Sequence, residues 1–320
     1  MKRAFRAALL FLALESAAGA APALTVTLLG TGNPRPEARG GPSILVEGEG
    51  RALLFDAGRG TTERLFALDR LAKADALFLT HLHSDHTVGI PDLWLTGWLF
   101  GRSRALRVWG PSGTADLCRN LERAYAFDVH VRRDVDEKLP AEGARLVPVE
   151  VSNGAVVAEG ALRVTAFLVD HGVVRPAYGY RVDAGSRSVV LSGDTRPADN
   201  LVKFARGADV LVHEVIAPAA ERSGAASSFS KEQRERIIAH HTTPEDAGRV
   251  FGRVKPRLAV YSHVVPSFAT AADLVAPTRK TYGGPLEVGE DGMVIEIGDE
   301  VRVIRPPRPA PRGDRPGPGD

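Results

Sequence analysis

Residues 80–86 read THLHSDH, a short stretch that holds three of the nine histidines in this chain of 320 residues. In an extended segment, side chains two residues apart point the same way, so His81 and His83 can contact one metal ion. Asp85 and His86 come after a turn and can reach a second ion beside the first. Imidazole and carboxylate ligands together suit zinc, iron or manganese. The stretch therefore predicts a metal centre, and hydrogen-bonded surface histidines are the alternative.

Three further residues of metal-binding type stand where predicted strands end. His171 comes after the apolar run LRVTAFLV, Asp194 follows SVVLSG, and His263 follows LAVYS. One histidine at a strand end is more often a hydrogen-bonded structural residue, but these three complete a set of five His and two Asp. Cys118 is the single cysteine, which excludes an intrachain disulfide and a thiolate zinc cluster. Any metal must therefore bind nitrogen and oxygen atoms.

The elements that would position these side chains alternate between strands and helices in both halves of the chain. Apolar runs predict strands at 24–30, 43–48, 51–58, 76–80, 104–110, 162–169, 177–183, 188–193, 208–215 and 257–263, with a closing hairpin over 286–299. Helical patterns lie at 61–69, 87–100, 112–127, 200–206 and 231–239. A further helix is predicted to begin at Pro244, with Thr243 as its N-cap. This order predicts an α/β fold in which two sheets pack face to face with helices outside.

The two ends of the chain differ from the rest in composition. Residues 1–23 combine the basic MKRAFR, the apolar AALLFLAL and a run of small residues, which is the layout of a signal peptide. The apolar part is too short for a permanent membrane span, so we expect a periplasmic or secreted protein with no stable membrane insertion after cleavage. An uncleaved apolar start of a cytoplasmic protein is the alternative. Residues 305–320 are rich in Pro, Arg and Gly and are predicted to be disordered, which leaves 24–304 as one domain.

The motifs LLGTGNP, FDAG, THLHSDH, VDHG, SGDT and YSH follow one another in the order found in the metallo-β-lactamase superfamily, which the chain resembles over nearly its whole length. The resemblance implies a four-layer αβ/βα sandwich with the site at one edge of the sheets. It also implies two Zn²⁺ ions, with Fe or Mn as alternatives, that share Asp194 as a ligand. The first ion would be held by His81, His83, His171 and Asp194, and the second by Asp85, His86, Asp194 and His263.

Within the superfamily, the motifs VDHG, SGDT, LVHEV and HHTT resemble the group that contains ribonuclease Z and the zinc arylsulfatases. The resemblance assigns His241 to the histidine of the HST-like motif of this group, and Glu214 to the carboxylate that orients it. Asp56 of FDAG matches a position that orients metal-binding histidines; a turn-forming Asp before Gly58 is the alternative. PDLWLTGW at 91–98 looks more like the arylsulfatase-like members, and the long tRNA-clamping arm of ribonuclease Z is not obvious.

The resemblance implies a hydrolase in which a hydroxide shared by the two metals attacks an anionic ester. Asp85 would orient that hydroxide or accept its proton. His241, just before a predicted helix N-terminus, would protonate the leaving group or stabilise charge on the transferred group. The preferred substrate is a small-molecule anionic ester of the aryl sulfate type. The net charge of +2 and the signal peptide make nucleic acid an unlikely substrate, and relatives imply a homodimer.

Several alternatives stay open at this point. A ribonuclease Z-like phosphodiesterase or endoribonuclease is the nearest, and a lactonase or β-lactamase is disfavoured by HHTT. A di-iron redox protein would carry a flavin-binding domain, for which no length remains. A non-catalytic zinc-binding module would retain metal without turning over any ester. Trp94 and Trp98 lie one helical turn apart and either pack in the core or form an aromatic wall for a leaving group.

Overall fold

Two β-sheets carry the residues singled out above. The structure, a computed structural model, describes residues 22–36, 39–223 and 229–307. The first sheet consists of β1 (Leu24–Gly30), β2 (Ser43–Gly48), β3 (Arg51–Phe55), β4 (Ala76–Phe78), β5 (Leu106–Gly110), β6 (Leu146–Glu150), β14 (Val294–Ile297) and β15 (Val301–Ile304). Their order across the sheet is β15-β14-β1-β2-β3-β4-β5-β6. The neighbours from β3 to β6 are parallel, so β4 directs its carboxyl end toward the same edge as β5.

The second sheet contains the other strands described. They are β7 (Val156–Glu159), β8 (Leu162–Leu168), β9 (Tyr178–Ala184), β10 (Arg187–Leu191), β11 (Val210–Ile216), β12 (Leu258–Val265) and β13 (Leu286–Val288). Their order is β13-β12-β11-β10-β9-β8-β7, and the strands from β10 to β13 are parallel neighbours. Because parallel strands end at the same edge of a sheet, β10, β11 and β12 bring Asp194, Glu214 and His263 toward one edge.

Helices lie outside the two sheets, and several of them pack on the outer faces. They are α1 (Thr61–Ala67), α2 (Ser84–Thr87), α3 (Ile90–Leu99), α4 (Thr114–Ala124), α5 (Ala126–His130), α6 (Asp199–Ala205), α7 (Pro218–Ser223), α8 (Lys231–Ile238), α9 (Pro244–Val254) and α10 (Ala271–Thr278). Within the described ranges, none of the helices has the length and apolar character that crossing a membrane requires. The predicted signal peptide lies almost entirely outside the described residues, as does most of the predicted disordered tail.

Three apolar clusters separate the layers. The central one packs side chains of the two sheets against each other, including Phe55 from β3 and Tyr180 from β9. The two others lie between a sheet and its helices, with Phe251 of α9 in one and Trp94 and Trp98 of α3 in the other. The predicted four-layer αβ/βα sandwich is therefore confirmed. Both tryptophans are 0–1% exposed, so they pack in the core and do not wall the site.

The predicted hairpin over 286–299 is wrong. β13 pairs with β12 in the second sheet, whereas β14 pairs with β1 in the first, so the segment between them crosses from one sheet to the other. Asp291 holds this crossing in place, because its carboxylate accepts hydrogen bonds from the backbone N–H of Thr31 at 2.8 Å and of Gly40 at 2.6 Å. The crossing therefore fixes the loop after β1 beside the ends of the second sheet.

Candidate active site

All seven predicted metal ligands come together at the edge where the two sheets meet. One group contains ligand atoms of His81, His83, His171 and Asp194, and a second contains those of Asp85, His86 and His263, each group lying within 4.8 Å. Asp194 and His263 also form a group with His241. Asp85 and His86 stand on the single turn of α2, immediately after the extended segment that carries the other two histidines. Side chains from four separate parts of the chain thus converge on one place.

Asp194 lies at the centre of this cluster. Its Oδ2 atom is 3.3 Å from the Nε2 atom of His263, 3.4 Å from that of His86, and 3.9 Å from those of His81 and His171. Two ligands of one tetrahedral zinc ion, bonded at about 2.0–2.1 Å, lie roughly 3.3–3.4 Å apart. The separations around Asp194 are therefore close to those that a shared divalent cation requires.

Several buried polar atoms of the cluster lack hydrogen-bond partners among the described residues. They include the Nε2 atoms of His81, His86 and His171 and the Oδ1 atom of Asp194. A buried polar atom without a partner costs about 1–3 kcal/mol, so four of them pointing into one place would be strongly unfavourable. Nitrogen and oxygen atoms in this arrangement are suited to a divalent metal ion. The donor set therefore fits a metal centre, and the assignment of individual ligands stays a prediction that this geometry supports.

Hydrogen bonds on the other ring nitrogens hold these histidines in a metal-binding tautomer. The Nδ1 atom of His86 lies 2.8 Å from Asp56 Oδ2, and that of His171 lies 3.1 Å from the backbone carbonyl of His240. Thr80 donates its hydroxyl hydrogen to Asp56 Oδ2 at 2.9 Å and lies 3.0 Å from Nδ1 of His81. With Nδ1 donating a proton to these acceptors, each Nε2 presents a lone pair to the cluster. Asp56 therefore orients ligands and does more than form a turn.

We expect Asp56→Asn to weaken zinc binding by about 10–100-fold, measured by competition with a chromophoric chelator. Both carboxylate oxygens of Asp56 accept hydrogen bonds, Oδ1 from the backbone N–H of Thr80 and Oδ2 from Thr80 and His86. The amide of Asn has one acceptor oxygen, so at least one of the groups of Thr80 and His86 that now donate to Asp56 would face an NH₂ group. Asn tolerates the positive φ of 59° at this position, which keeps the backbone in place. Unchanged affinity would show that Asp56 is only structural.

A β-bulge aims His263 at the cluster. The β11–β12 ladder shifts register between His213 and Val215, so Glu214 stands opposite two residues of β12. His263 lies inside β12 with φ of 44°, whereas the sequence predicted that the strand ends there. The extra residue in β12 changes the direction of the His263 side chain, so that its Nε2 atom lies 3.4 Å from Asp85 Oδ2. Burial raises the pKa of Asp85, but His86 and His263 nearby lower it to about 2, so the Asp85 carboxylate is anionic at neutral pH.

His241 and Glu214 form a buried pair beside the cluster, as the resemblance implied. The Nδ1 atom of His241 lies 3.2 Å from Glu214 Oε1, which also accepts the backbone N–H groups of Thr195 and Thr242. Burial lowers the pKa of His241 to about 4 and raises the pKa of Glu214 well above its ordinary value. Thr243 caps α9 by accepting the N–H of Asp246, which confirms the predicted cap and fixes the chain next to His241.

A cleft of about 400 Å³ opens onto the cluster. Its floor contains the predicted site residues His83, Asp85, His171, Asp194, His241 and His263. Arg35 and Glu221 line its walls and were not singled out from the sequence, because neither belongs to a motif with metal-ligand spacing. His240 also lines the cleft, and it acts on His171 through its backbone carbonyl, which sequence reasoning cannot detect. The cleft can admit a substrate of several polar groups directly to the cluster.

Comparison with known proteins identifies the family to which this arrangement belongs. The family model described as "Beta-lactamase superfamily domain" matches residues 51–264. A protein named Ribonuclease Z from Mycolicibacterium gilvum (strain PYR-GCK) is 34% identical over 283 residues, which cover 86% of this chain and 96% of that protein. The chain belongs to the metallo-β-lactamase superfamily, in the group that contains ribonuclease Z. It is therefore a metal-dependent hydrolase of this superfamily.

Crystal structures of superfamily members share the fold. Human tRNase Z, short form, is 25% identical with a TM-score of 0.63, and the match covers 86% of this chain and 98% of that one. The metallo-beta-lactamase fold protein YhfI from Bacillus subtilis is 21% identical with a TM-score of 0.65, covering 85% and 98% of the two chains. The second likeness concerns the fold alone. Both agree with the two-sheet sandwich described above.

These relatives correct the expected substrate. The sequence predicted a small-molecule anionic ester and made nucleic acid an unlikely partner, and this is wrong because relatives in this group are named as ribonucleases. They also favour the phosphodiesterase alternative over an aryl sulfate ester. RNA was disfavoured mainly because residues 1–23 predict export. Export and the homodimer remain predictions.

Proposed function

We propose that this chain is a phosphodiesterase of the ribonuclease Z type that cleaves RNA, with tRNA as the first substrate to test, and that it holds two Zn²⁺ ions. The observation that carries the proposal is the 34% identity to a Ribonuclease Z, which extends over 96% of that protein. The site supports it, because the seven predicted ligands form one cluster that opens onto a cleft, and the His241–Glu214 pair lies beside that cluster. A match over 96% of that protein favours a shared reaction over a shared fold alone.

The ligand set would hold the two ions around Asp194, with the groups defined above as the two sites. When bound, such ions act as Lewis acids that lower the pKa of water and stabilise negative charge on phosphate oxygens. The protein supplies the positions: Asp56, Thr80 and the carbonyl of His240 fix the imidazole rings before substrate arrives. This pre-organisation avoids the free-energy cost of ordering ligands during the reaction.

We propose that His241 acts on the leaving oxygen. Its ring lies at the cleft, with Asp194 and His263 within reach of it and Glu214 behind it. Because burial lowers its pKa to about 4, the imidazole is largely neutral at neutral pH, and its remaining ring N–H is the group that can donate to a departing alkoxide. Glu214, held by two backbone N–H groups, limits the orientations that the ring can adopt. His241 therefore transfers a proton, or donates a hydrogen bond, to the oxygen that leaves.

A panel assay tests the proposed function. Purified zinc-loaded protein is incubated with a tRNA-containing transcript, an oligoribonucleotide, bis(p-nitrophenyl) phosphate, an aryl sulfate, a lactone and a β-lactam. We expect cleavage of RNA and of the phosphodiester, and no turnover of the other three compounds. Asp194→Ala protein, purified identically, controls for contaminating ribonucleases. Turnover of the aryl sulfate without cleavage of RNA would overturn the proposal.

A further inference from the structure

Arg35 lines the same cleft as Asp194 and His241 but has no part in the metal cluster. Its side chain is 17% exposed, and its Nη2 atom is buried without a hydrogen-bond acceptor among the described residues. The nearest carboxylate oxygen recorded for that atom, Oε1 of Glu221, is 3.7 Å away, which is longer than a hydrogen bond. A guanidinium nitrogen left in this state is available to an anion that enters the cleft.

Three contacts position Arg35 before any ligand binds: two of them fix its backbone, and the third restrains its side chain. Its backbone N–H donates to Asn33 Oδ1 at 3.1 Å, and its carbonyl accepts a hydrogen bond from Arg59 at 3.3 Å. The guanidinium carbon lies 5.4 Å from the centre of the Phe268 ring, within range of a cation–π contact. A side chain that is already ordered loses little conformational entropy on binding, so a new hydrogen bond contributes more of its free energy to affinity.

The ligand class follows from the charge and shape of this group. A guanidinium presents parallel N–H groups in a rigid fork that matches two oxygens of a phosphate. No contact between Arg35 and the metal ligands is recorded in the described parts of the chain; its charged neighbour is Glu221 on the cleft wall. Arg35 is not one of the seven predicted ligands, and an RNA strand in the cleft would present further phosphates beside the reacting one. We propose that Arg35 binds a neighbouring, non-reacting backbone phosphate of RNA, an inference that rests on the proposed function.

Glu221 makes the opposite contribution to binding at this subsite. Its side chain is 2% exposed and lines the same cleft, so its carboxylate is a negative charge close to the bound phosphate. The Glu221 carboxylate attracts the Arg35 guanidinium in the free protein, and it repels a phosphate that binds to that guanidinium. The pair therefore predicts effects of opposite sign: loss of Arg35 weakens RNA binding, and loss of the Glu221 charge strengthens it.

Steady-state kinetics on two substrates test this subsite. We expect Arg35→Gln to raise KM for an oligoribonucleotide about tenfold with kcat unchanged within about twofold, because one charge-assisted phosphate contact is lost. Kinetics on bis(p-nitrophenyl) phosphate, which has a single phosphate, should stay at the wild-type values and thereby show that the variant is folded. The slope of a plot of log KM against log salt concentration should become shallower, by the amount that corresponds to the loss of one phosphate contact.

Two further variants sharpen the result. Glu221→Gln should lower KM for the oligoribonucleotide about threefold, which a merely structural pair would not do. Arg119→Gln is the matched control, because Arg119 pairs with Asp116 on the exposed surface and should leave every parameter unchanged. Wild-type KM and salt slope in Arg35→Gln, or an equal loss on the single-phosphate substrate, would overturn the subsite while leaving the proposed function intact. Failure of the wild-type protein to cleave RNA would overturn both.

Discussion

Asp194→Ala should abolish metal binding and hydrolysis together. Four imidazole nitrogens lie within 3.3–3.9 Å of Asp194 Oδ2, so its carboxylate is the anion around which both ligand groups are built. Without it, a doubly charged cation would meet mainly neutral ligands, and the imidazole rings would lose their common partner. We expect kcat/KM on RNA to fall by at least about 10³-fold, since a metal-dependent reaction loses its Lewis acid with the metal.

The measurement combines activity with metal content by mass spectrometry. Wild-type protein should carry two zinc ions per chain, and the variant should carry fewer than one that survives dialysis against a chelator. Asp183→Ala is the matched control, because Asp183 lies on β9 and pairs with Arg181 at 2.8 Å, outside the cluster. Full activity in the Asp194 variant would defeat the metal-centre assignment. Stoichiometric iron without zinc in the wild type would instead favour the redox alternative.

His241→Asn should separate proton donation from metal binding. We expect kcat on RNA to fall about 10²–10³-fold, the usual contribution of a positioned general acid, with zinc content unchanged. The loss on bis(p-nitrophenyl) phosphate should be less than about tenfold, because p-nitrophenolate leaves without needing a proton. A nucleoside alkoxide is a far poorer leaving group, so the demand for an acid depends on the substrate.

The geometry around His241 permits a second outcome that this experiment detects. Ligand atoms of His241, Asp194 and His263 lie within 4.8 Å of one another, so the imidazole is near enough to bind an ion itself. If the variant loses zinc and is impaired equally on both substrates, His241 is a ligand and not the acid. His130→Gln, which changes an exposed histidine paired with Asp134, should alter neither activity nor metal content.

Features that depend on neighbouring residues were predictable from the sequence. The spacing of THLHSDH places His81 and His83 on one side of an extended segment, and the structure brings their ligand atoms into one group. Thr243 caps α9 as predicted because capping requires only a side chain and an N–H group three residues away. The prediction of a hairpin at 286–299 was wrong because it was based on a local turn signal. The two strands in fact pair with β12 and β1, which are distant in the sequence.

The amino-acid sequence by itself determined the α/β class and the residues able to bind metal, because strand periodicity and ligand chemistry depend on residue type and spacing. The superfamily and its four-layer sandwich followed from the resemblance of the motifs to those of a known family. Tertiary structure alone decided which tautomer His81, His86 and His171 adopt, how the bulge aims His263, and that Arg35 lies beside Glu221 in the cleft. Those features depend on distances between segments that are remote along the chain, and such distances exist only after the two sheets have packed.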